Sequence, residues 1–462
     1  MIRDMIRETV PGAAGRHETA AGPAEKRRLA GRIILVPVLL AAMCLAGYLL
    51  LAAAYCIPTG LMDRQVAESC AVFEREGSYP RTGGAANSQL DNYTDALMLL
   101  KASYPENGNV WEAAARVTGY RAGGMTPVET VLSVGQGGTE GLDSGDYARY
   151  WHGYLVFLKP LLVFFHYGQI RDILMLVQSG MLVVLVWLLS GKERKLVFPT
   201  FLLWVFLNPR ANSCSLQFNS VFMLTFAGMV FILLFHSRWK ENLYPWHLLF
   251  LFLGAATSYF DLLTYPLVTL GVPLALWLYF NMSEKFMANL KNMLCSSAFW
   301  VMGYGGLWGG KWVLGSIVTG TDILENAAGA VLNRTVGINS PYQESITYRG
   351  VIKRQLLGAW QPLLFVLFAG TVCLLAYRLV RQAGQNAGVL LYVFVSAYPF
   401  VWYLVLQEHS YTHYFFTYRT LAVSVYSLAV CGAGCRRTRG RDRGKREGTH
   451  HGRTGKHSGS GL

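Results

Sequence analysis

Runs of about twenty mostly apolar residues recur along this chain, and nothing else in it constrains folding so strongly. A backbone in hydrocarbon finds no water, so a crossing segment must satisfy its own N–H and C=O groups, as an α-helix of about 20 residues does. Windows of this kind lie at 33–55, 172–190, 195–208, 217–235 and 246–260, and again at 262–280, 293–315, 360–379, 388–406 and 414–434. LVFPTFLLWVFL, ahead of Asn208, is short for a crossing, and Pro266 and Pro273 interrupt another window. The composition agrees, with 53% apolar and 15% charged residues in 462. The pattern predicts an all-α polytopic membrane protein of roughly ten transmembrane helices.

Charge supplies the orientation, because Lys and Arg near span ends collect on the cytoplasmic side. Residues 1–32 carry seven Lys/Arg against four acids, and residues 436–462 carry nine against two. Ten spans put Lys192, Arg194 and Lys195, Arg238 and Lys240, Lys285 and Lys291, and Arg378 and Arg381 on that same side. The expected organisation is a basic cytoplasmic tail at 1–32, a transmembrane domain at 33–435 and a basic, disordered cytoplasmic tail at 436–462. External loops at 58–171 and 316–358 belong to the transmembrane domain, and the plasma membrane is the expected location. The net charge of +14 is concentrated beside membrane ends and in the tails. It therefore points to the lipid bilayer as partner rather than to nucleic acid. The run at 33–55 exceeds the 7–15 apolar residues typical of a signal peptide and reads as an uncleaved first helix. The eight cysteines lack metal-ligand spacing; Cys44, Cys295, Cys373 and Cys431 read as small buried residues, while Cys56 and Cys70 are placed to pair outside.

The 58–171 loop is long enough to expect function from it. It mixes polar turns (RTGGAANSQ, NGN) with a helical run, LDNYTDALMLLKAS, and ends in DYARYWHGYLVFLKPLLVFFHYGQIR, whose aromatics, Lys159 and Pro160 suggest a helix lying at the interface. GQGGTEG, Gly135 to Gly141, lacks the spacing and flanking elements of a phosphate cradle, and neither a Walker lysine motif nor a G-x-S-x-G elbow occurs. A nucleotide-driven pump and a soluble hydrolase domain are thereby disfavoured.

Asp91 and Asp95 stand at i,i+4, on one face of a helix. Such a pair can share a metal or let one carboxylate act as a base, although Asp91 also suits a plain helix N-terminus. Asp63 lies just beyond the first span, beside Arg64, a ready ion-pair partner. His152, in YWHGY, reads as a belt residue or a ligand at the membrane edge. Asp261 falls at a tight connection between spans, and Lys311 follows a Gly/Trp-rich stretch; each is a site candidate, or a turn carboxylate and a snorkelling ammonium. Arg349, Lys353 and Arg354, in TYRGVIKRQLLGAW, occupy about one helical turn and suit a phosphate. In HSYTHYFFTYR, His409 and His413 are i,i+4 and Arg419 follows. This segment offers a metal pair without a nearby third ligand, a phosphate site, or aromatic belt residues.

An internal N-terminus, one span, a long external loop carrying acids, then many spans: in this arrangement, and in LDNYTDALML, TYRGVIKR and HSYTHYFFTYR, the chain resembles the GT-C class of integral-membrane glycosyltransferases. The resemblance implies sugar transfer from a polyprenyl-phosphate-linked donor to an envelope glycan or protein acceptor on the outer face. It implies a first-loop aspartate as base, taken as Asp91 supported by Asp95, with Asp63 in reserve. Arg349, Lys353, Arg354 and Arg419 would then face the donor phosphate, with His409, His413, His152, Lys311 and Asp261 completing the substrate site. Some members of the class use a divalent metal and others none. The competing readings are a flippase or transporter of lipid-linked saccharides, an envelope polysaccharide polymerase or ligase, and a non-catalytic scaffold.

Overall fold

The computed structural model describes residues 23–105, 108–240, 242–336, 346–360, 370 and 388–434. The two basic tails, the span expected at 360–379 and the middle of the 316–358 loop lie largely outside them. The described residues are predominantly helical, as the apolar runs require. Four helices are long and apolar enough to cross a membrane: Ile34–Tyr55, within α1 (Pro23–Tyr55), then Tyr167–Lys192, Leu216–Phe235 and Gly388–Val405. The apolar window of Tyr167–Lys192 is only 17% buried inside the protein. Its outward Leu176 and Trp187 are 74% and 72% exposed, a surface that hydrocarbon tolerates and water does not. The chain is a membrane protein.

Between the first two of these helices lies the long loop. It contains α2 (Asp63–Glu76), α3 (Asn92–Ala102), α4 (Val110–Arg116), α5 (Pro127–Gly135) and α6 (Leu155–Phe164). Strands β1 (Gly119–Arg121) and β2 (Asp143–Gly145) pair antiparallel, with Arg121 opposite Asp143. The chain continues through α7 (Tyr167–Lys192), α8 (Val197–Phe206), α9 (Pro209–Cys214), α10 (Leu216–Phe235), α11 (Tyr244–Phe260), α12 (Val268–Asn281) and α13 (Phe286–Thr319). After these come α14 (Ile323–Val336), α15 (Tyr348–Ala359), α16 (Gly388–Val405), α17 (Gln407–Thr412), α18 (Tyr414–Thr417) and α19 (Ala422–Ala433). Of the expected windows, 195–208 and 414–434 become helices of 10 and 12 residues. At 34 residues, α13 is about 51 Å long.

Helix α12 is buried from Val268 to Phe280 and packs against α10 and α19. Gly271 makes the second approach close, since a Cβ there would stand 2.3 Å from Val423. The tightest crossing joins α11 and α13, where a Cβ on Gly254 would fall 2.1 Å from the Trp300 carbonyl and one on Gly303 2.0 Å from that of Leu251. Backbones meet there because both contact residues lack side chains.

The loop is fastened to this bundle by buried lysines that satisfy helix-end carbonyls. The last carbonyls of an α-helix have no intrahelical donor, and a cation is favoured beside them. Lys311 of α13 donates to Ala114 and Ala115 O at 3.0 and 2.9 Å, at the end of α4. Lys159 of α6 donates to Ala102 O at 3.0 Å, closing α3, and Lys101 donates to Val117 O at 3.1 Å. These contacts correct two expectations. Lys311 does not snorkel, and Lys159 points into the loop domain while Phe157 and Phe164 face outward. Cys56 and Cys70 are both free thiols, and Cys70 faces the α5 backbone at Val131 O.

Candidate functional site

Two cavities of 760 and 720 Å³ adjoin where the long loop meets α14 and α17, sharing Arg149 and Asn326 in their linings. The larger, the loop chamber, is lined by α3, the β1–β2 hairpin and the 145–149 segment, including Tyr93, Lys101, Tyr120, Arg121, Asp146 and Tyr147. The smaller, the inter-loop chamber, carries Asp322, Glu325, Asn333 and Arg334 from the α14 region and Glu408 from α17.

Arg149, at the junction, is held from several sides. Trp308 and Trp312, one helical turn apart on α13, both donate their indole N–H to its carbonyl, at 2.9 and 3.0 Å. Its guanidinium lies over the Tyr147 ring at 4.6 Å and donates to Asn326 Oδ1 at 3.3 Å. The 147–154 segment is in turn locked down. His152, at φ +55, bonds Tyr147 O at 2.9 Å and the Tyr154 hydroxyl at 3.0 Å, and Trp151 donates to Leu307 O at 2.7 Å. Gly153 is required next, because a Cβ would stand 2.3 Å from Tyr259. The positive φ at His152 is backbone strain sustained by this packing. Thus His152 and Lys311 hold the loop in place, and neither lines a chamber.

Asp146 is the one carboxylate of the long loop on the loop-chamber wall. It accepts from the Arg116 guanidinium at 2.9 Å and from the Thr118 hydroxyl at 2.7 Å. Acceptor capacity remains on its two oxygens beside these partners. Opposite it, burial pushes the Lys101 ammonium down to about 8, with Asp146 acting the other way.

Asp91 and Asp95 do come together, in a setting of their own. Asp91 caps α3, accepting from the Thr94 amide at 3.0 Å, the Thr94 hydroxyl at 3.1 Å and the Gln217 side-chain amide. Asp95 accepts from the Tyr167 hydroxyl at 2.5 Å and from the amides of Leu216 and Gln217 at 2.8 and 3.3 Å, buried N–H groups that open α10 and lack intrahelical partners. Arg171 extends the network, donating to Tyr167, Asn92 and Glu76 at 2.6, 2.7 and 2.9 Å. Burial outweighs these donors and raises the carboxyls to about 6 for Asp91 and about 7 for Asp95. Both line neither chamber; they join the loop to α7 and α10.

The remaining predicted residues scatter. Asp63 is exposed at the start of α2. Asp261 closes its own turn by accepting the Thr264 amide and hydroxyl. His409 bonds Leu263 O at 2.8 Å, and its ring lies 4.9 Å from that of His413, behind the Glu408 wall. The α17 helix ends at Thr412, so His413 begins a new turn. The basic trio splits: Arg349 and Lys353 face a separate, largely apolar 440 Å³ groove with Leu356 and Trp360, whereas Arg354 turns inward, donating to Tyr411 O at 3.1 Å. Arg419, fully buried, donates to Leu207 O at 3.1 Å and packs 4.5 Å from the Phe218 ring. As a group, Arg349, Lys353, Arg354 and Arg419 therefore do not form one phosphate clamp. Among the described residues, no three His, Cys, Asp or Glu side chains converge as metal ligands.

Comparison with protein-family models, curated proteins and solved structures gives no match to this chain. The chamber residues that sequence reading passed over include Arg149, Asp146, Lys101, Arg121, Arg334 and Glu408. The one available signal was the pair Trp308 and Trp312, whose i,i+4 spacing puts two indole donors on one face of α13.

Proposed function

We propose that this protein is a membrane glycosyltransferase of GT-C organisation, with roughly ten crossings and both termini cytoplasmic, moving a sugar from a polyprenyl-phosphate donor to an acceptor on the outer face. The observation that carries the reading is the junction of the two chambers at Arg149. A carboxylate, Asp146, stands on one side and a second guanidinium, Arg334, on the other.

Glycosyl transfer from a lipid phosphate needs a base for the acceptor hydroxyl and cations for the departing phosphate. In this reading a first-loop aspartate is still the base, and it is Asp146. Asp146 takes the proton of the acceptor hydroxyl, the acceptor oxygen attacks the anomeric carbon, and the bond to the phosphate oxygen breaks. Arg149 and Arg334 neutralise the charge that develops on that oxygen. Asp322 and Glu325 accept hydrogen bonds from donor hydroxyls, and the Asn333 side-chain amide both donates and accepts. The indole pair fixes the Arg149 backbone, and Tyr147 and Asn326 hold its guanidinium, before substrate arrives, so little reorganisation accompanies the reaction. Asp91 and Asp95 hold the loop to the bundle.

The test compares Asp146→Asn with the parent protein in lipid nanodiscs, following label transfer from a panel of polyprenyl-phosphate sugars. The expected loss is about 10²–10⁴-fold, the usual contribution of a positioned base. Unfolding should be nearly unchanged, because the Asp146–Arg116 pair is partly exposed and worth about 0–1 kcal/mol. Full activity in Asp146→Asn would refute the assignment of the base. Absence of transfer by the parent from every donor would refute the function.

A further inference from the structure

The loop chamber differs in charge from its neighbour. The inter-loop chamber sets three carboxylates against two guanidiniums, whereas the loop chamber gathers Lys101, Arg121 and Arg149 around a single acid, Asp146. That acid already shares its charge with Arg116, which lines neither chamber. Across the hairpin Asp143 stands opposite Arg121 but is not part of the wall. The chamber therefore presents excess positive charge in a concave, partly dehydrated setting, where such charge acts most strongly.

Two further features narrow the ligand. Tyr93 and Tyr120 give the chamber flat apolar surfaces, of the kind that pack against the C–H face of a sugar ring, while the Tyr147 ring carries the Arg149 guanidinium. Glycines keep its rim low and admit the cation: a Cβ on Gly119 would stand 2.8 Å from Lys101 Cγ. Lys101 has three donors and spends one on Val117 O, leaving two for a ligand oxygen.

We propose that the loop chamber is the acceptor site and that the acceptor is an anionic saccharide, a sugar chain bearing carboxylate or phosphate groups held by Lys101, Arg121 and Arg149. This rests on the transferase reading for the word acceptor, but the binding itself does not require transfer. Rings stack on the tyrosines while the anionic groups meet the three cations, bringing a free hydroxyl to Asp146.

The experiment measures binding to the full chain in nanodiscs of neutral phosphatidylcholine. The probes are hexagalacturonate, phosphorylated maltohexaose, neutral maltohexaose and a hexaglutamate peptide. At least one anionic saccharide should bind about tenfold or more tighter than maltohexaose, and which one does distinguishes carboxylate from phosphate. Arg121→Gln, on the exposed hairpin, and Arg149→Gln should each weaken that binding severalfold, and the affinity should fall with added salt. Equal affinity for the neutral saccharide, equal affinity for hexaglutamate, unchanged affinity in both variants, or no saccharide binding would each overturn the proposal. Binding of an anionic saccharide without transfer from any donor leaves the proposal standing and refutes the transferase. Transfer to neutral acceptors with no preference for anionic ones does the reverse.

Discussion

The α11–α13 crossing allows a test in which two glycines two residues apart respond with opposite sign. A Cβ on Gly303 would stand 2.0 Å from Leu251 O and 2.9 Å from the Ala255 amide, whereas one on Gly305 of the same helix meets nothing within 4 Å. Ordinary contact begins near 3.4 Å, so Gly303→Ala forces the helices apart by roughly 1.4 Å. The obstacle is backbone, which cannot rotate away, and overpacking of this kind costs about 1–3 kcal/mol. Alanine also favours a helix over glycine by about 1 kcal/mol, a gain that Gly305→Ala realises without opposition. The expected outcome is a lower unfolding temperature for Gly303→Ala and an equal or higher one for Gly305→Ala. Unfolding of a membrane protein of this size is commonly irreversible, so half-life at a fixed temperature is the second measurement. Gly254→Ala, which meets Trp300 O at 2.1 Å, should add less than its own cost to Gly303→Ala, since the helices have already separated. Because α13 carries Trp308 and Trp312, that separation should also weaken the proposed sugar transfer. If Gly303→Ala proves as stable as Gly305→Ala, the close crossing is wrong, and with it the account of how α13 positions Arg149.

Other consequences concern charge and sidedness. Since Lys101 loses its proton near pH 8, affinity for an anionic probe should be full at pH 7 and fall by pH 9, and Lys101→Gln should lower the affinity at pH 7 and remove the step; an unchanged pH profile in that variant would exclude Lys101 from the site. Asp95 is raised from 3.8 to about 7 by burial, so its contribution to stability is complete below about pH 4 and is lost as pH rises through 7. Hydrogen exchange at the Leu216 and Gln217 amides should therefore, after correction for intrinsic rates, be more protected at pH 5 than at pH 8, and equal protection would contradict the raised carboxyl. With the exposed Cys56 replaced by Ser, a cysteine introduced at Gly123, in the long loop, should react with an impermeant maleimide in intact cells; labelling only after permeabilisation would invert the proposed topology.

What the sequence disclosed follows from the range of the interactions involved. Apolar runs are local, so the helices at Tyr167–Lys192, Leu216–Phe235 and Gly388–Val405 fall close to the windows at 172–190, 217–235 and 388–406. Helical spacing is local too, and Asp91 and Asp95 do share one face of α3. What that face meets is the start of α10, more than 120 residues away, and there the carboxylates become anchors. The basic trio illustrates the same limit from within one helix. Successive residues turn by about 100°, so Arg349 and Lys353 stay on one face and Arg354 rotates toward Tyr411; the split was already contained in the spacing. Arg149 offered no such clue in its own neighbourhood. Its position depends on Trp308 and Trp312, 159 and 163 residues onward, and their pairing becomes meaningful only once Lys311, between them on α13, has bonded the end of α4. The lysine that the sequence offered as a substrate ligand or a snorkelling ammonium thus helps to bring the indoles under the loop, and through them the arginine to the meeting point of the chambers.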